Sequence, residues 1–253
     1  MRISGVAALV TGGGSGMGAA TARHLASLGA RVGVLDHNAE AAGRVAAEFG
    51  GIGIGCDVTD EAAVIRALDL VRDAYGEARI VVNCAGVAGS GTTLKRDGGT
   101  MDIAAFRRVV DINLTGTWNV MRLAAARLAR LEPDADGERG VMVNTASIAG
   151  LDSPPDAAGY VAAKAGVAAL SLAMAREFAP QGIRVMAIAP GLMDTPMLAG
   201  IKREYRETMV AHVPFPRRFG RPEEFARLVG EICANQMLNG STIRLDGGLH
   251  AFA

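Results

Sequence analysis

Tyr160 and Lys164 stand four residues apart in GYVAAKAGVAAL, a run of good helix formers, so both side chains project from one face of one helix. A free phenol titrates near pH 10, and an ammonium beside it favours the phenolate, so the spacing predicts an acid/base group working closer to neutrality. Ser147, in NTASIAG, follows an apolar run that reads as a strand, and its hydroxyl can hold a substrate oxygen. The second chemical cluster is TGGGSGMG, residues 11–18, five glycines in eight positions directly after Val6-Ala7-Ala8-Leu9-Val10. Each glycine inside a regular element costs about 0.5–1 kcal/mol relative to alanine, so such a cluster means either a loose linker or a tight turn that a ligand approaches closely.

The elements around these residues decide between the two. Short aliphatic runs alternate with longer Ala/Leu/Arg-rich stretches: VAALVT then 16–29, RVGVLD then 39–48, GIGIGC then 60–76, RIVVN then 102–130, GVMVNTA then 157–179, IRVMAIA then 222–234, and finally STIRLD. That alternation predicts an α/β Rossmann fold, a doubly wound sheet of seven parallel strands with helices on both faces. Residues 1–253 read as a single domain with a substrate loop region at about 192–216. The glycines then occupy the first βα turn, where backbone N–H groups and a helix N-terminus can meet a phosphate. Gly14-x-Gly16-x-x-Ala19 fits the dinucleotide fingerprint, and Asp36 closes the second strand in GVLDHN. A carboxylate there accepts hydrogen bonds from an adenine ribose and repels a 2′-phosphate, which predicts NAD as cofactor. Proton transfer by Tyr160 suits hydride chemistry, because the proton must move as the hydride moves.

Composition removes other classes. The formal charge is zero and aromatics make up 4% of the chain, so neither a phosphate-neutralising surface nor base-stacking side chains point to nucleic acid. The apolar runs fall short of the roughly 18 residues that span a bilayer. The first residues, MRISGVAALVTGGG, carry too short an apolar stretch for a signal peptide. The expectation is a cytoplasmic protein without a membrane segment. Cys56, Cys84 and Cys233 form no CxxC pair and read as reduced, mostly buried thiols. His24, His37, His212 and His250 show no ligand spacing with them, so no metal is expected.

Taken together, Thr11-Gly12-x-x-x-Gly16-x-Gly18, Asn83-Cys84-Ala85-Gly86, Asn113, Ser147, Tyr160-x-x-x-Lys164 and Pro190-Gly191 resemble the short-chain dehydrogenase/reductase family from end to end. The resemblance implies a catalytic tetrad: Tyr160 as acid/base, Lys164 lowering its pKa and holding the nicotinamide ribose, Ser147 orienting the substrate, and Asn113 fixing a water in a proton relay. It implies a cofactor seat made by Thr11, Gly12, Ser15, Gly16, Met17 and Gly18, by Asp36, and by Asn83, Ala85 and Gly86. Asp57 and Val58 would border the adenine, and the 190–195 segment, with Pro190, Gly191 and Thr195, would lie beside the nicotinamide. Cys84 stands where the family usually has asparagine, and Val161 where it has serine.

Longer stretches, including LEPDADGERGVMVNTAS, APGLMDTPML and VPFPRRFGRPEEFARLV, resemble the type II 3-hydroxyacyl-CoA dehydrogenase branch, some of whose members also act on hydroxysteroids. That implies a small-molecule acyl-CoA substrate and a homotetramer built through helices 102–130 and 157–179 and the tail STIRLDGGLHAFA. Leu192, Met193, Met197 and Leu198 supply an adaptable apolar stretch for an acyl chain. Lys95 and Arg96, in VAGSGTTLKRDGGTMD, read either as a solvated loop or as a contact to coenzyme A phosphates. IAGLDSPPDAAG, with two prolines and two acids, departs from the resembling enzymes and predicts an altered substrate wall. Open alternatives are a 3-oxoacyl carrier protein reductase, a steroid, sugar or simple alcohol dehydrogenase, and a dinucleotide-sensing scaffold that has lost its chemistry.

Overall fold

The aliphatic runs β1 (Ala7–Thr11), β4 (Ile80–Asn83) and β5 (Gly140–Thr145) are buried along their whole length, with no polar alternation. Strands of that kind belong in the middle of a parallel sheet covered on both faces. A computed structural model, which describes residues 1–89 and 91–250, places them there. Joined by β2 (Arg31–Asp36), β3 (Ile52–Gly55), β6 (Ile183–Pro190) and β7 (Thr242–Leu245), they form one seven-stranded sheet in the order β3-β2-β1-β4-β5-β6-β7. Every pairing is parallel. The chain winds one way from β1 to β3 and the other way from β4 to β7, so a crevice opens beyond the carboxyl ends of β1 and β4, where open α/β sheets bind ligands.

On one face pack α1 (Gly16–Ser27), α2 (Ala39–Ala47) and α9 (Pro222–Ala234), through residues such as Leu25, Val45 and Phe225. On the other lie α3 (Glu61–Tyr75), α5 (Gly116–Leu128) and α7 (Ala158–Glu177), through Val64, Val120 and Ala175. A buried polar chain ties the second layer to the sheet centre: Asn83 Nδ2 donates to Asn144 Oδ1 at 2.9 Å, and Asn144 Nδ2 donates to Ser171 Oγ of α7 at 3.0 Å.

The structure departs from the expected elements at three places. The single helix expected over 102–130 is α4 (Ile103–Val110) and α5, separated by a π-helical turn at Asp111–Thr115 that inserts an extra residue into the helical run. Two helices were not foreseen: the single-turn α6 (Ile148–Asp152) and the polar α8 (Arg203–Ala211), whose REYRETMVA lacks an apolar stripe. Finally, α7 is long and apolar enough by length and composition to cross a membrane, whereas the sequence expectation was that no stretch would be. Here its buried residues, Lys164 and Ser171 among them, face the sheet and make polar contacts with β5.

Candidate active site

The turn after β1 is closed by contacts that admit only glycine. Gly12 has φ +61°, and a Cβ there would stand 2.7 Å from the backbone nitrogen of Ala85. At Gly18, on the first turn of α1, a Cβ would stand 2.1 Å from the Gly12 carbonyl oxygen. Thr11 Oγ1 accepts the Ala85 N–H at 3.2 Å, so the glycine turn and the segment after β4 are fastened together across the crevice. Ser15, at the N-cap of α1, is exposed and makes no side-chain capping bond, which leaves first-turn N–H groups for an anionic ligand. The Asp36 carboxylate accepts the Gly14 N–H at 3.0 Å and the Asn38 N–H at 2.9 Å, so the acidic group is locked against the turn. A cradle with no room for a side chain, backbed by amides and flanked by a carboxylate, fits the pyrophosphate and ribose of a dinucleotide. Asp57 spends Oδ1 on the Thr59 N–H and hydroxyl. Val58 is buried against Gly116, and its carbonyl accepts Asn119 Nδ2 at 2.9 Å.

Deeper in the crevice, Ser147 caps α6 at the end of β5, where its Oγ accepts the Ala149 N–H at 3.2 Å and its hydroxyl bonds to the Tyr160 phenol. Tyr160 and Lys164 sit one turn apart on α7, with Lys164 Nζ 5.8 Å from the phenol ring centroid. The ammonium is buried and donates to the Thr145 carbonyl at 2.7 Å. Burial pushes its pKa down from 10.5 to about 8. The expected lowering of the Tyr160 pKa is corrected here: burial raises it above 10, with Ser147's hydroxyl pulling the other way. Lys164 is turned to the Thr145 carbonyl rather than to the phenol oxygen, so desolvation wins. Cys84 completes this corner, with Thr145 Oγ1 donating to its Sγ at 3.6 Å and burial pushing the thiol up to about 11.

Asn113 lies buried in the π-helical turn with its side chain fully engaged. Its Oδ1 accepts the Val87 N–H at 3.1 Å, while Nδ2 donates to the Val87 and Val109 carbonyls at 3.0 and 2.9 Å. The same side chain explains Gly86, where a Cβ would fall 2.5 Å from Asn113 Oδ1. Asn113 therefore braces the segment after β4, and a water relay through it has only its backbone carbonyl, already accepting the Thr117 hydroxyl at 2.9 Å, to use.

These groups open into one cavity of about 260 Å³, which Ser147, Tyr160, Lys164 and Asn113 line together with Met17, Gly86, Pro190, Gly191 and Thr195. Thr195 closes back over the glycine turn, its Cβ 3.3 Å from where a Gly16 Cβ would be. The outer wall is apolar: Leu192, Met193, Met197 and Leu198, as expected, with Ala149, Pro154 and Met209 in addition. Met209 falls within the 192–216 stretch expected as the substrate loop, but its setting on a helix was not foreseen. Ala149 and Pro154 come from the proline-bearing segment already suspected of shaping the substrate wall. Lys95 and Arg96 sit exposed on a turn closed by a Leu94–Thr100 bridge and do not line the cavity. Ser90 of that loop and Ala251–Ala253 of the tail lie outside the described residues.

Comparison with known proteins adds the following. A family model described as enoyl-(acyl carrier protein) reductase matches residues 12–250. The 3-hydroxyacyl-CoA dehydrogenase type-2 of Drosophila melanogaster is 44% identical over 98% of this chain and 98% of its own. A crystal structure of 3-hydroxyacyl-CoA dehydrogenase type-2 from Mycobacterium avium superposes with a TM-score of 0.94 at 39% identity, covering 98% of this chain and 97% of that one. A 3-ketoacyl-(acyl-carrier-protein) reductase from Brucella melitensis, complexed with NADH, superposes with a TM-score of 0.85 at 29% identity, covering 98% and 99%.

Proposed function

Because the chain belongs to the short-chain dehydrogenase/reductase family, we propose that it is an NAD-dependent dehydrogenase interconverting a (3S)-3-hydroxyacyl-CoA and the 3-oxoacyl-CoA. The observation that carries this reading is the joining, in one cavity, of a proton-transfer set (Ser147, Tyr160, Lys164) with an adaptable apolar wall of Met197, Leu198 and Met209. It is supported by relatives named for that activity that align over nearly the whole chain.

A bound NAD would supply the hydride acceptor, and in its reduced form the hydride donor, for C3 of the substrate. Thr11 to Gly18 would hold its pyrophosphate, and Asp36 its adenine ribose. In the reductive direction, the Ser147 hydroxyl, which bonds to the Tyr160 phenol in the ligand-free site, donates instead to the 3-oxygen and sets its position. Tyr160, held protonated by burial, then gives that oxygen its proton. The phenolate left behind is stabilised by the Lys164 ammonium, one turn away on α7. In oxidation the same groups run in reverse, with Tyr160 as base. Burial of Lys164 keeps the positive charge unshielded by water, so it acts strongly on whatever anion forms beside it.

The reading extends to a cytoplasmic homotetramer acting in fatty-acid metabolism. For assembly, α5 and α7 offer outward apolar surface, with Trp118 and Leu172 44% and 40% exposed. A screen of purified enzyme with NADH against acetoacetyl-CoA, medium-chain 3-oxoacyl-CoAs, steroids and simple ketones tests the substrate. Turnover of acyl-CoAs is expected; efficient turnover of a steroid or ketone with none of any acyl-CoA would overturn it.

A further inference from the structure

Behind the wall that closes the catalytic cavity lies a second and larger hollow, of about 570 Å³, that the reaction at Ser147 and Tyr160 does not use. In a chain whose formal charge is zero, five arginines converge on it: Arg203, Arg206, Arg217, Arg218 and Arg221. Only two carboxylates, Asp194 and Glu207, share its lining.

The arginines divide into held and uncommitted groups. Arg218 is clamped by two bonds to Glu224, at 2.9 and 2.6 Å, which holds that carboxyl at about 2. Arg206 donates to Asp194 Oδ1 at 2.6 Å and lies over the Phe219 ring, 4.5 Å from its centroid. Arg203 pairs with Glu207 at 2.9 Å along the exposed side of α8. The guanidiniums of Arg217 and Arg221, both exposed, make no ion pair within 4 Å among the described residues, although the backbone N–H of Arg221 donates to Glu224 Oε2 at 2.7 Å. Three guanidiniums paired with carboxylates beside two that make no ion pair form a recognition surface for a multiply charged phosphate ligand, since the planar guanidinium fork matches phosphate oxygens.

Its location says which phosphate. The hollow and the catalytic cavity are opposite sides of one wall. Asp194 stands between Met193 and Thr195, both of which line the cavity, and Met209 faces the cavity while its neighbour Val210 faces the hollow. Arg206 itself donates to the carbonyl of Leu198, a cavity residue, at 3.4 Å. A substrate with an apolar acyl group at one end and a phosphorylated nucleotide at the other, joined by a long flexible arm, has the polarity of this wall. We propose that the arginine hollow binds the 3′-phosphorylated ADP end of coenzyme A while the thioester lies in the cavity. This rests on the acyl-CoA reading above and deepens it.

The test replaces the two uncommitted residues, Arg217→Ala with Arg221→Ala, because their loss orphans no carboxylate. Binding of adenosine 3′,5′-bisphosphate is measured by calorimetry on enzyme saturated with NADH, which blocks the dinucleotide crevice. In parallel, KM is measured for acetoacetyl-CoA and for the acetoacetyl N-acetylcysteamine thioester, which lacks the nucleotide. The expected result is bisphosphate binding to the wild type, weakened about tenfold in the variant, with KM for acetoacetyl-CoA raised about tenfold and KM for the truncated thioester changed less than twofold. Absence of bisphosphate binding to the NADH-saturated wild type overturns the proposal, as does an equal effect on both thioesters. So does transfer of the effect to a Lys95→Ala/Arg96→Ala variant, or its confinement to an acidic carrier-protein thioester. If neither thioester is turned over, the acyl-CoA reading fails, and the calorimetric arm still decides whether the hollow binds the nucleotide.

Discussion

Lys164 makes the ligand-free enzyme less stable than it need be, and the size of that effect follows from its burial. The ammonium sits inside the protein with one hydrogen bond, to the Thr145 carbonyl, and its pKa falls from 10.5 to about 8. At pH 7 that depression corresponds to about 3 kcal/mol of destabilisation carried by the charged form. Lys164→Met keeps the unbranched stem and removes the amine. It also leaves the Thr145 carbonyl without its donor, which costs about 1 kcal/mol. The variant should therefore be about 2 kcal/mol more stable than wild type at pH 7, or about 4 °C in Tm for a chain of this length. The sign of the pH dependence is fixed by the same numbers. Below pH 8 both folded and unfolded wild type carry the proton and the penalty is constant. Between about 8 and 10.5 the unfolded state binds it while the folded state does not, so wild-type stability climbs as pH rises. Thermal denaturation of both proteins without cofactor, from pH 6.5 to 10.5, should show the variant's lead of about 2 kcal/mol shrinking and then reversing to about 1 kcal/mol behind wild type, which regains about 3 kcal/mol across that window. A variant less stable than wild type at pH 7, or a lead that stays constant with pH, would refute the claim that burial of this charge dominates.

Three further outcomes are expected. NADH should be preferred over NADPH by at least about tenfold in kcat/KM, because a 2′-phosphate would meet the Asp36 carboxylate already fixed by Gly14 and Asn38; equal values for the two cofactors would count against it. Tyr160→Phe should lose about 10²–10⁴-fold in turnover with NADH affinity retained, and a variant keeping more than about a tenth of wild-type rate would remove the phenol from the proton-transfer role. Light scattering at micromolar concentration should report a tetramer, and a monomer would contradict the assembly through α5 and α7.

Much of the framework is local and therefore readable in the chain. Aliphatic runs of strand length alternating with helix formers specify a parallel sheet with covered faces, and the order of elements places TGGGSGMG in the first βα turn. A glycine-only turn announces itself because any Cβ at Gly12 or Gly18 would strike backbone. The four-residue spacing of Tyr160 and Lys164 fixes that they share a helix face. What that spacing could not decide is where each side chain ends. The Thr145 carbonyl, on a strand brought beside α7 only by folding, captures the Lys164 ammonium, and the closing of the cleft around Tyr160 turns its pKa upward rather than downward. The π-helical turn at Asn113 is likewise a tertiary matter: the weak helix formers of DINLT do not mark it, and its extra residue appears only where Asn113 binds the backbone of Val87. Helix α8 has no apolar stripe, so periodicity is silent about it. Only its packing against the 192–198 segment puts Met209 in the cavity and gathers arginines from residues 203 to 221 around one hollow. Periodicity reports which residues share an element, whereas desolvation and the meeting of distant side chains depend on the packed whole.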